Sequence, residues 1–309
     1  GAVTTLAGSS DGFLDHNTGT SAKFKNPSAV TIVGSNLYVA EYGNHKIRKI
    51  VLSSGAVTTL AGSGSQGSTD GTGTSATFKF PQAITSDGTN LYVADTNNNK
   101  IRKIDTSTGF VTTLAGSGTA GFTNATGTAA KFNYPSGITT DGTNLYVADI
   151  ANHKIRKIVI STGVVTTFAG SGSAGSANGT GASASFNKPR GITTDGTNLY
   201  VTDHDGHKIR KIVISTGAVT TLAGSGSAAS TDGPGTSASF NGPIAISSDG
   251  TNLYVSENIG NKIRKIALRE TATADVAMHN LDDDTDVTVS LASSDTGEAT
   301  VSPATLTFT

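Results

Sequence analysis

The sequence predicts an all-β fold built of repeated four-stranded sheets, and three observations predict it. The phrase GAVTTLAG at Gly1 returns with small changes at Gly55, Gly109, Gly163 and Gly217, each start 54 residues after the last. Phe24, Phe78, Phe132, Phe186 and Phe240 keep that step, and so do Pro27, Pro81, Pro135, Pro189 and Pro243. Between these landmarks lie short β-branched and aromatic runs bounded by Gly, Asn, Asp and Ser, and no segment holds a helical period over three turns. A step kept through five copies without an insertion means that each unit packs on its neighbour in the same way.

Each unit supplies four strands in order. The first follows the proline, as in PQAITSD, PSGITTD and PRGITTD; the second is NLYVAD or a close variant. The third is KIRKI and the fourth is VTTLAG. Asp-Gly-Thr-Asn at Asp87, Asp141, Asp195 and Asp249 predicts a tight hairpin between strands one and two, and Ser-Thr-Gly predicts a turn between strands three and four. The stretch from strand four to the next proline is about 18 residues of Gly, Ser, Thr and Ala, anchored by the fixed Phe. Two positions after each proline stands a small residue: Ala29, Ala83, Gly137, Gly191 or Ala245. Small residues suit an innermost strand crowded near an axis, so the units are expected to be the blades of a β-propeller. An open solenoid is the competing architecture; it requires a distinct terminal capping repeat, which the N-terminus does not show.

Strands one to three occur five times, and VTTLAG-type fourth strands also occur five times, the first of them at Gly1. The last triple, Pro243 to Ile266, is followed by TATADVAM instead of a fourth strand. Gly1 to Gly8 would fill that vacancy if the ring closes by pairing its ends. The count is therefore five blades, with a sixth possible only from the tail or from another chain.

The core F-x-x-P-x-x-I-x-x-D-G-x-N-L-Y-V-A-D-x-x-N-H-K-I-R-K-I resembles the NHL repeat, with the namesake pair at Asn44-His45-Lys46 and Asn152-His153-Lys154. The resemblance covers residues 1 to about 267. It implies a propeller, commonly six-bladed, and usually a binding platform. One branch of that family resembles metal-dependent amidating lyases, whose ligand set has no counterpart that can be placed in this sequence.

Two domains are expected, a propeller over 1–267 and an acidic β-strand tail over 268–309. The propeller part carries 21 bases and 15 acids, the tail one base and eight acids, so the chain's net charge of −1 hides a split of +6 and −7. The tail runs DVTVSLASS and EATVSPATLTFT resemble the opening strands of an immunoglobulin-like repeat of bacterial surface proteins. Such a length is too short for a seven-stranded sandwich. Three fates stay open: the start of a truncated further domain, docking on its own propeller, or a strand donated to a neighbouring subunit. Head-to-tail use of the last contact makes a filament unless the rotation closes a ring.

Candidate chemistry is sparse. There is no cysteine, which excludes disulfides, zinc–cysteine sites and thiol catalysis, and no apolar run of membrane-helix length. Gly1-Ala2-Val3-Thr4-Thr5 lacks a signal peptide's basic start and apolar core, which fits a mature form or a fragment. His45, His153 and His207 share one repeat position, at the hairpin between strands two and three, with Asn99 and Asn261 in the other copies. Equivalent positions of different blades lie apart around a rim, so these five are expected to cap turns and to form candidate binding-face hairpins, not a metal site. Glu41, Asp95, Asp149, Asp203 and Glu257 end strand two, and Arg48, Arg102, Arg156, Arg210 and Arg264 lie seven residues on. A catalytic carboxylate is not needed five times, so carboxylate–guanidinium pairs inside each blade are expected.

The basic KIRK strings lack Trp and free stacking aromatics, so no nucleic-acid partner is expected. The Gly-rich loops match no phosphate-binding signature, and Gly62-Ser63-Gly64-Ser65-Gln66 fails the last place of a nucleophile elbow. Asn124-Ala125-Thr126 and Asn178-Gly179-Thr180 are formal glycosylation sequons. Arg190 and His204–Asp205 are the main departures of one blade from the others. The expectation is a non-enzymatic extracellular or cell-surface propeller, bacterial or archaeal, with no cofactor, catalytic residue or metal. It acts as an assembly or interaction subunit whose residues 268–309 pair with a neighbouring subunit, without a membrane partner. The alternatives are a glycan- or peptide-binding module of a larger surface protein and a metal-dependent lyase of NHL type.

Overall fold

The computed structural model describes residues 1–268, 287–290 and 305–308. The chain divides into two compact units, Gly1–Arg269 and Glu270–Thr309. In the second unit Val287–Ser290 pairs antiparallel with Thr305–Phe308. The rest of the tail, including the proposed contact of 268–309 with a neighbour, lies outside the described residues.

The first unit is a β-propeller of five antiparallel blades. Blade three shows the pattern: Pro135–Thr140, Asn144–Asp149, Lys154–Val159 and Val164–Ala169 follow one another as inner, second, third and outer strand. The period of two decides which side chains meet. In blade two, Tyr92 and Ala94 of the second strand and Ile101 of the third point to the next blade. There they meet Ala130, Phe132, Ile138, Leu145, Val147, Ile158 and Val165. Leu91 and Val93 point the other way, into the core shared with blade one. The second strand is thus buried on both faces, which is why it reads as a near-continuous apolar run. Ile101 and Ile104 stand three apart and so serve opposite faces.

The small residues of the inner strand are required by how closely the blades approach. A Cβ on Gly137 would lie 2.3 Å from the Arg190 carbonyl oxygen, and one on Gly191 would lie 2.6 Å from that of Ile244. The Asp-Gly-Thr-Asn turns work as expected. Asp87 accepts the Thr89 and Asn90 N–H groups at 2.9 and 2.7 Å and the Tyr92 hydroxyl at 2.6 Å, and Gly88 takes the positive φ of 91°. Burial pushes the Asp87 carboxyl up, but these hydrogen bonds outweigh it and bring it to about 2.

Two features differ from the expectation. The long Gly/Ser/Thr loop does not stand free on one face. It crosses from the outer strand of one blade to the outer edge of the next, where Gly71–Thr72, Ala125–Thr126 and Gly179–Thr180 each add a fifth strand beside that blade's outer one. It then turns through a short 3-10 helix and rises past the buried Phe to the proline. Folding back satisfies the loop's backbone groups and covers the outer edge. The second difference concerns closure. The inner strands pack in series from blade one to blade five. Among the described residues blade five has three strands, and Gly1 to Leu6 form no strand and are exposed. The vacancy after Ile266 is therefore not filled by Gly1 to Gly8 in this structure.

Candidate interaction surface

In each blade the second strand delivers a carboxylate and the third an arginine to one buried point. The distances are 2.9 Å for Glu41–Arg48, Asp95–Arg102 and Asp149–Arg156, 3.2 Å for Asp203–Arg210 and 2.6 Å for Glu257–Arg264. Blade three shows how full the site is. Arg156 Nη1 donates to Asp149 and to the Lys131 carbonyl; Nη2 donates to the Thr123 carbonyl and to Asn124 Oδ1. The guanidinium lies 5.1 Å from the centre of the Phe132 ring. Asp149 also accepts the Asn133 N–H and the Asn152 Nδ2–H, both at 2.7 Å. Burial pushes the Asp149 and Asp203 carboxyls up to about 6, which leaves them ionised at neutral pH. The pair ties the descending loop to the sheet through both terminal guanidinium nitrogens, while the buried Arg156 Nε has no partner among the described residues.

The loop's own contribution was missed by sequence reasoning. Asp15, Asp70, Asn124, Asn178 and Asp232 each accept from the arginine of their blade. The last four keep the 54-residue step, a signal hidden by reading Asn124 and Asn178 as sequons.

The histidine/asparagine position also does something other than cap its own turn. His45, Asn99, His153, His207 and Asn261 all take left-handed φ values of 52° to 54° after a short turn. In the first four the side chain then reaches the next blade. His45 Nδ1 accepts the Phe80 N–H at 3.1 Å, Asn99 Oδ1 that of Tyr134 at 2.9 Å, His153 Nδ1 that of Lys188 at 3.1 Å and His207 Nδ1 that of Gly242 at 3.3 Å. Asn261, with no following blade, bonds the Ile259 carbonyl of its own turn. These residues stitch seams. Partial burial and the nearby Lys25 and Lys79 charges lower His45, and burial and Lys188 lower His153, which favours the neutral acceptor imidazole.

The positions whose N–H groups donate to this stitch vary in chemistry between otherwise matching repeats. Asn26, Phe80, Tyr134, Lys188 and Gly242 precede the prolines, all at positive φ between 48° and 64°. For Phe, Tyr and Lys that backbone is rare and strained. Beside them stand the residues that follow strand two: Tyr42, Thr96, Ile150, His204 and Asn258. Their chemistry is unevenly distributed. Around blades one to three aromatic and apolar side chains, Tyr42, Phe80, Tyr134 and Ile150, stand with the uncharged Asn26 and Thr96. Tyr42 and Phe80 rings lie 4.7 Å apart, His45 meets Phe80 edge-on at 4.5 Å, and Tyr134 is 50 % exposed.

At blade four the surface is ionic. Lys188 Nζ lies 2.6 Å from Asp205, and His204 bridges Asp205 and Asn258 through its two ring nitrogens. Partial burial works against it, but Lys188 and His204 hold the Asp205 carboxyl below its usual range. Arg190 is the one charged residue on the five inner strands; its buried Nε, like those of Arg102, Arg156 and Arg210, has no partner among the described residues. Among those residues no three His, Asp or Glu side chains gather in metal-binding fashion.

No protein-family model matches the chain. Over 163 residues, 48 % of the chain, it is 36 % identical to NHL repeat-containing protein 2 of Bos taurus, and it is 35 % identical to the Homo sapiens protein over 161 residues. The chain spans between a fifth and a third of the length of the curated relatives it matches, 22 % for these two. Among solved structures, an auxiliary nutrient binding protein of Bacteroides ovatus superposes with TM-score 0.60 at 20 % identity, over 80 % of this chain and 60 % of that one. A virginiamycin B lyase of Staphylococcus aureus gives 0.51 at 22 % identity, over 80 % and 69 %. Likenesses at this identity show the fold alone.

Proposed function

We propose, from NHL-repeat relatives and a five-bladed propeller that support the NHL β-propeller family, that the chain is a binding propeller and not a catalyst. Its ligand is taken on the seam face at the ends of the inner strands. One observation carries this reading. Five nearly identical blades are held by the same repeated carboxylate–arginine pair, and side chains that differ between blades stand at the seams, with aromatics on one side and Lys188, Arg190 and His204 on the other. Exposed aromatics stack on sugar rings, and an unpaired guanidinium grips a carboxylate. The ligand class is an acidic glycan. The nutrient-binding title of the Bacteroides neighbour agrees with a binding role. An extracellular setting, and engagement of a neighbouring subunit by residues 268–309, belong to the same proposal and rest on the sequence.

A glycan array followed by calorimetric titration tests it. Arg190→Ala and Tyr134→Ala each weaken binding of the best acidic glycan at least about tenfold, the scale of one lost charge-assisted contact or stacked ring. Binding that ignores both substitutions, or selects neutral peptides over acidic glycans, overturns the reading.

A further inference from the structure

The arginine site of blade four lacks a charge that other blades supply. Arg48, Arg102 and Arg264 each meet two carboxylates, one from strand two and one from the folded-back loop: Glu41 and Asp15, Asp95 and Asp70, Glu257 and Asp232. Among the described residues Arg210 meets one, Asp203, at 3.2 Å, the longest of the five pairs. Its loop partner is the neutral Asn178. Burial pushes the Arg210 guanidinium below its usual range, with Asp203 opposing.

Asn178 is placed as an aspartate would be, with a donor where an acceptor belongs. Asp70 Oδ1 accepts from Arg102 Nη2 at 2.7 Å and from the Thr113 hydroxyl at 2.9 Å, and Oδ2 accepts the Thr113 N–H at 3.1 Å. Asp15 repeats the pattern with Arg48 and Thr59, its Oδ2 accepting the Thr59 N–H at 3.0 Å. Asn178 Oδ1 accepts from Arg210 Nη2 at 3.0 Å and from the Thr221 hydroxyl at 3.3 Å. That leaves Nδ2 in the place of the second carboxylate oxygen, and an amide nitrogen cannot accept a hydrogen bond.

Asn178 also precedes Gly179. A backbone amide whose residue has no Cβ is the least hindered nucleophile toward the side-chain carbonyl before it. Asn178 is exposed, and Gly179–Thr180 is a two-residue strand at the edge of its sheet, paired with Val219 and Ala218. So short an edge opens readily, which frees the Gly179 amide. The other Asn-Gly of the sequence, Asn241-Gly242, is held: Gly242 is buried at a seam and its N–H donates to His207. Asn124 has the same place beside an arginine as Asn178, but Ala125 follows it.

We propose that Asn178 is a site of spontaneous deamidation whose product completes the arginine site of blade four. The Gly179 nitrogen bonds to Asn178 Cγ and gives up its proton, and the Cγ–Nδ2 bond breaks as ammonia leaves, forming a succinimide. Water then adds at Cγ and the bond from Cγ to the Gly179 nitrogen breaks, which leaves a carboxylate on an intact backbone. One water is consumed, one ammonia is released, and nothing is oxidised or reduced. The new carboxylate pairs with Arg210 and offers the Thr221 N–H the acceptor that Asp70 gives Thr113, so the edge closes and the reaction stops. Ring opening at the other carbonyl gives isoaspartate, whose extra backbone carbon spoils the pairing of Gly179 with Val219. Such an edge stays open and returns through the succinimide, so aspartate accumulates. The site shares no residue with the seam face, and the two readings fail separately.

Peptide mass mapping of the full chain aged at mildly alkaline pH, with isoaspartate distinguished by electron-transfer fragmentation, tests it. Asn178 is expected to convert at least about tenfold faster than Asn124 or Asn241, because it alone joins a glycine amide to an edge that opens. Aspartate is expected to predominate over isoaspartate in the protein, and isoaspartate in a free peptide of residues 174–183. Gly179→Ala, which borrows the residue of blade three, is expected to slow Asn178 to the rate of Asn124. Asn178→Asp should raise the melting temperature by about 2–4 °C, the shift of one charge-assisted contact in a domain of this size. Conversion no faster at Asn178 than at Asn124 in the wild-type chain overturns the proposal, whatever the Gly179 variant does. Isoaspartate as the main product in the protein, or an Asn178→Asp chain that melts no higher than wild type, also overturns it.

Discussion

Replacing Arg156 by methionine removes the guanidinium of blade three while leaving a chain of similar length over the Phe132 ring. Asp149 keeps the Asn133 and Asn152 donors but loses its counter-charge, and the Lys131 and Thr123 carbonyls each lose the arginine as donor. Both members of the pair have fully buried side chains. Breaking such a pair on one side costs about 3–5 kcal/mol, because a buried charge is left uncompensated. For a domain of this size that lowers the melting temperature by roughly 10 °C. The pH dependence gives a second, independent signature. Burial already holds the native Asp149 carboxyl at about 6 with the arginine present. Without the arginine it rises further above its unfolded value of about 4. The native state then binds the proton more tightly than the unfolded chain, so the variant regains stability as pH falls from neutrality toward 4.

Urea denaturation followed by circular dichroism at several pH values measures both effects, and Asp149→Asn combined with Arg156→Met removes the stranded charge. The double variant is expected to recover about 2 kcal/mol of the single variant's loss. A single-variant cost below about 1 kcal/mol, a double variant no better than the single, or no gain on acidification would refute the argument.

Other perturbations follow from the same geometry. Asp87, brought to about 2, contributes stability that is full above the unfolded pKa and is lost as pH falls from about 4 through 2. Asp87→Asn should remove about 0.5–1 kcal/mol of that acid sensitivity after solvent screening, seen as a flatter urea midpoint between those pH values. Gly137→Ala puts a Cβ against the Arg190 carbonyl and should cost about 1–3 kcal/mol in thermal melts, whereas Gly142→Ala meets no atom within 4 Å and should show only the strain of its φ of 88°. Phe132→Ala should cost about 3–5 kcal/mol and Phe24→Ala less, since Phe24 belongs to the incompletely covered blade one; equal costs would argue against that end being open.

The sequence by itself determined the repeat, the four strands of each blade and the order in which they follow. These are local properties: strand period, turn chemistry at Asp87 and its equivalents, and a 54-residue step. A carboxylate ending strand two with an arginine seven residues on also suggested a pair; the register sets Asp149 opposite Lys154 and Val147 opposite Arg156, so the two charged groups meet as diagonal neighbours on one face of the hairpin. Only the tertiary structure decided what lies across a seam or at an edge. His153 and Asn124 look like a turn residue and a sequon until the next blade brings the Lys188 N–H to one and the folded-back loop brings the other to Arg156. The Gly/Ser/Thr loops look free until their backbone groups are seen paired with the outer strands. The unfilled end of blade five has the same cause. Its three strands match those of the inner blades in sequence, and only the sheet topology shows that Gly1 to Gly8 do not pair with them.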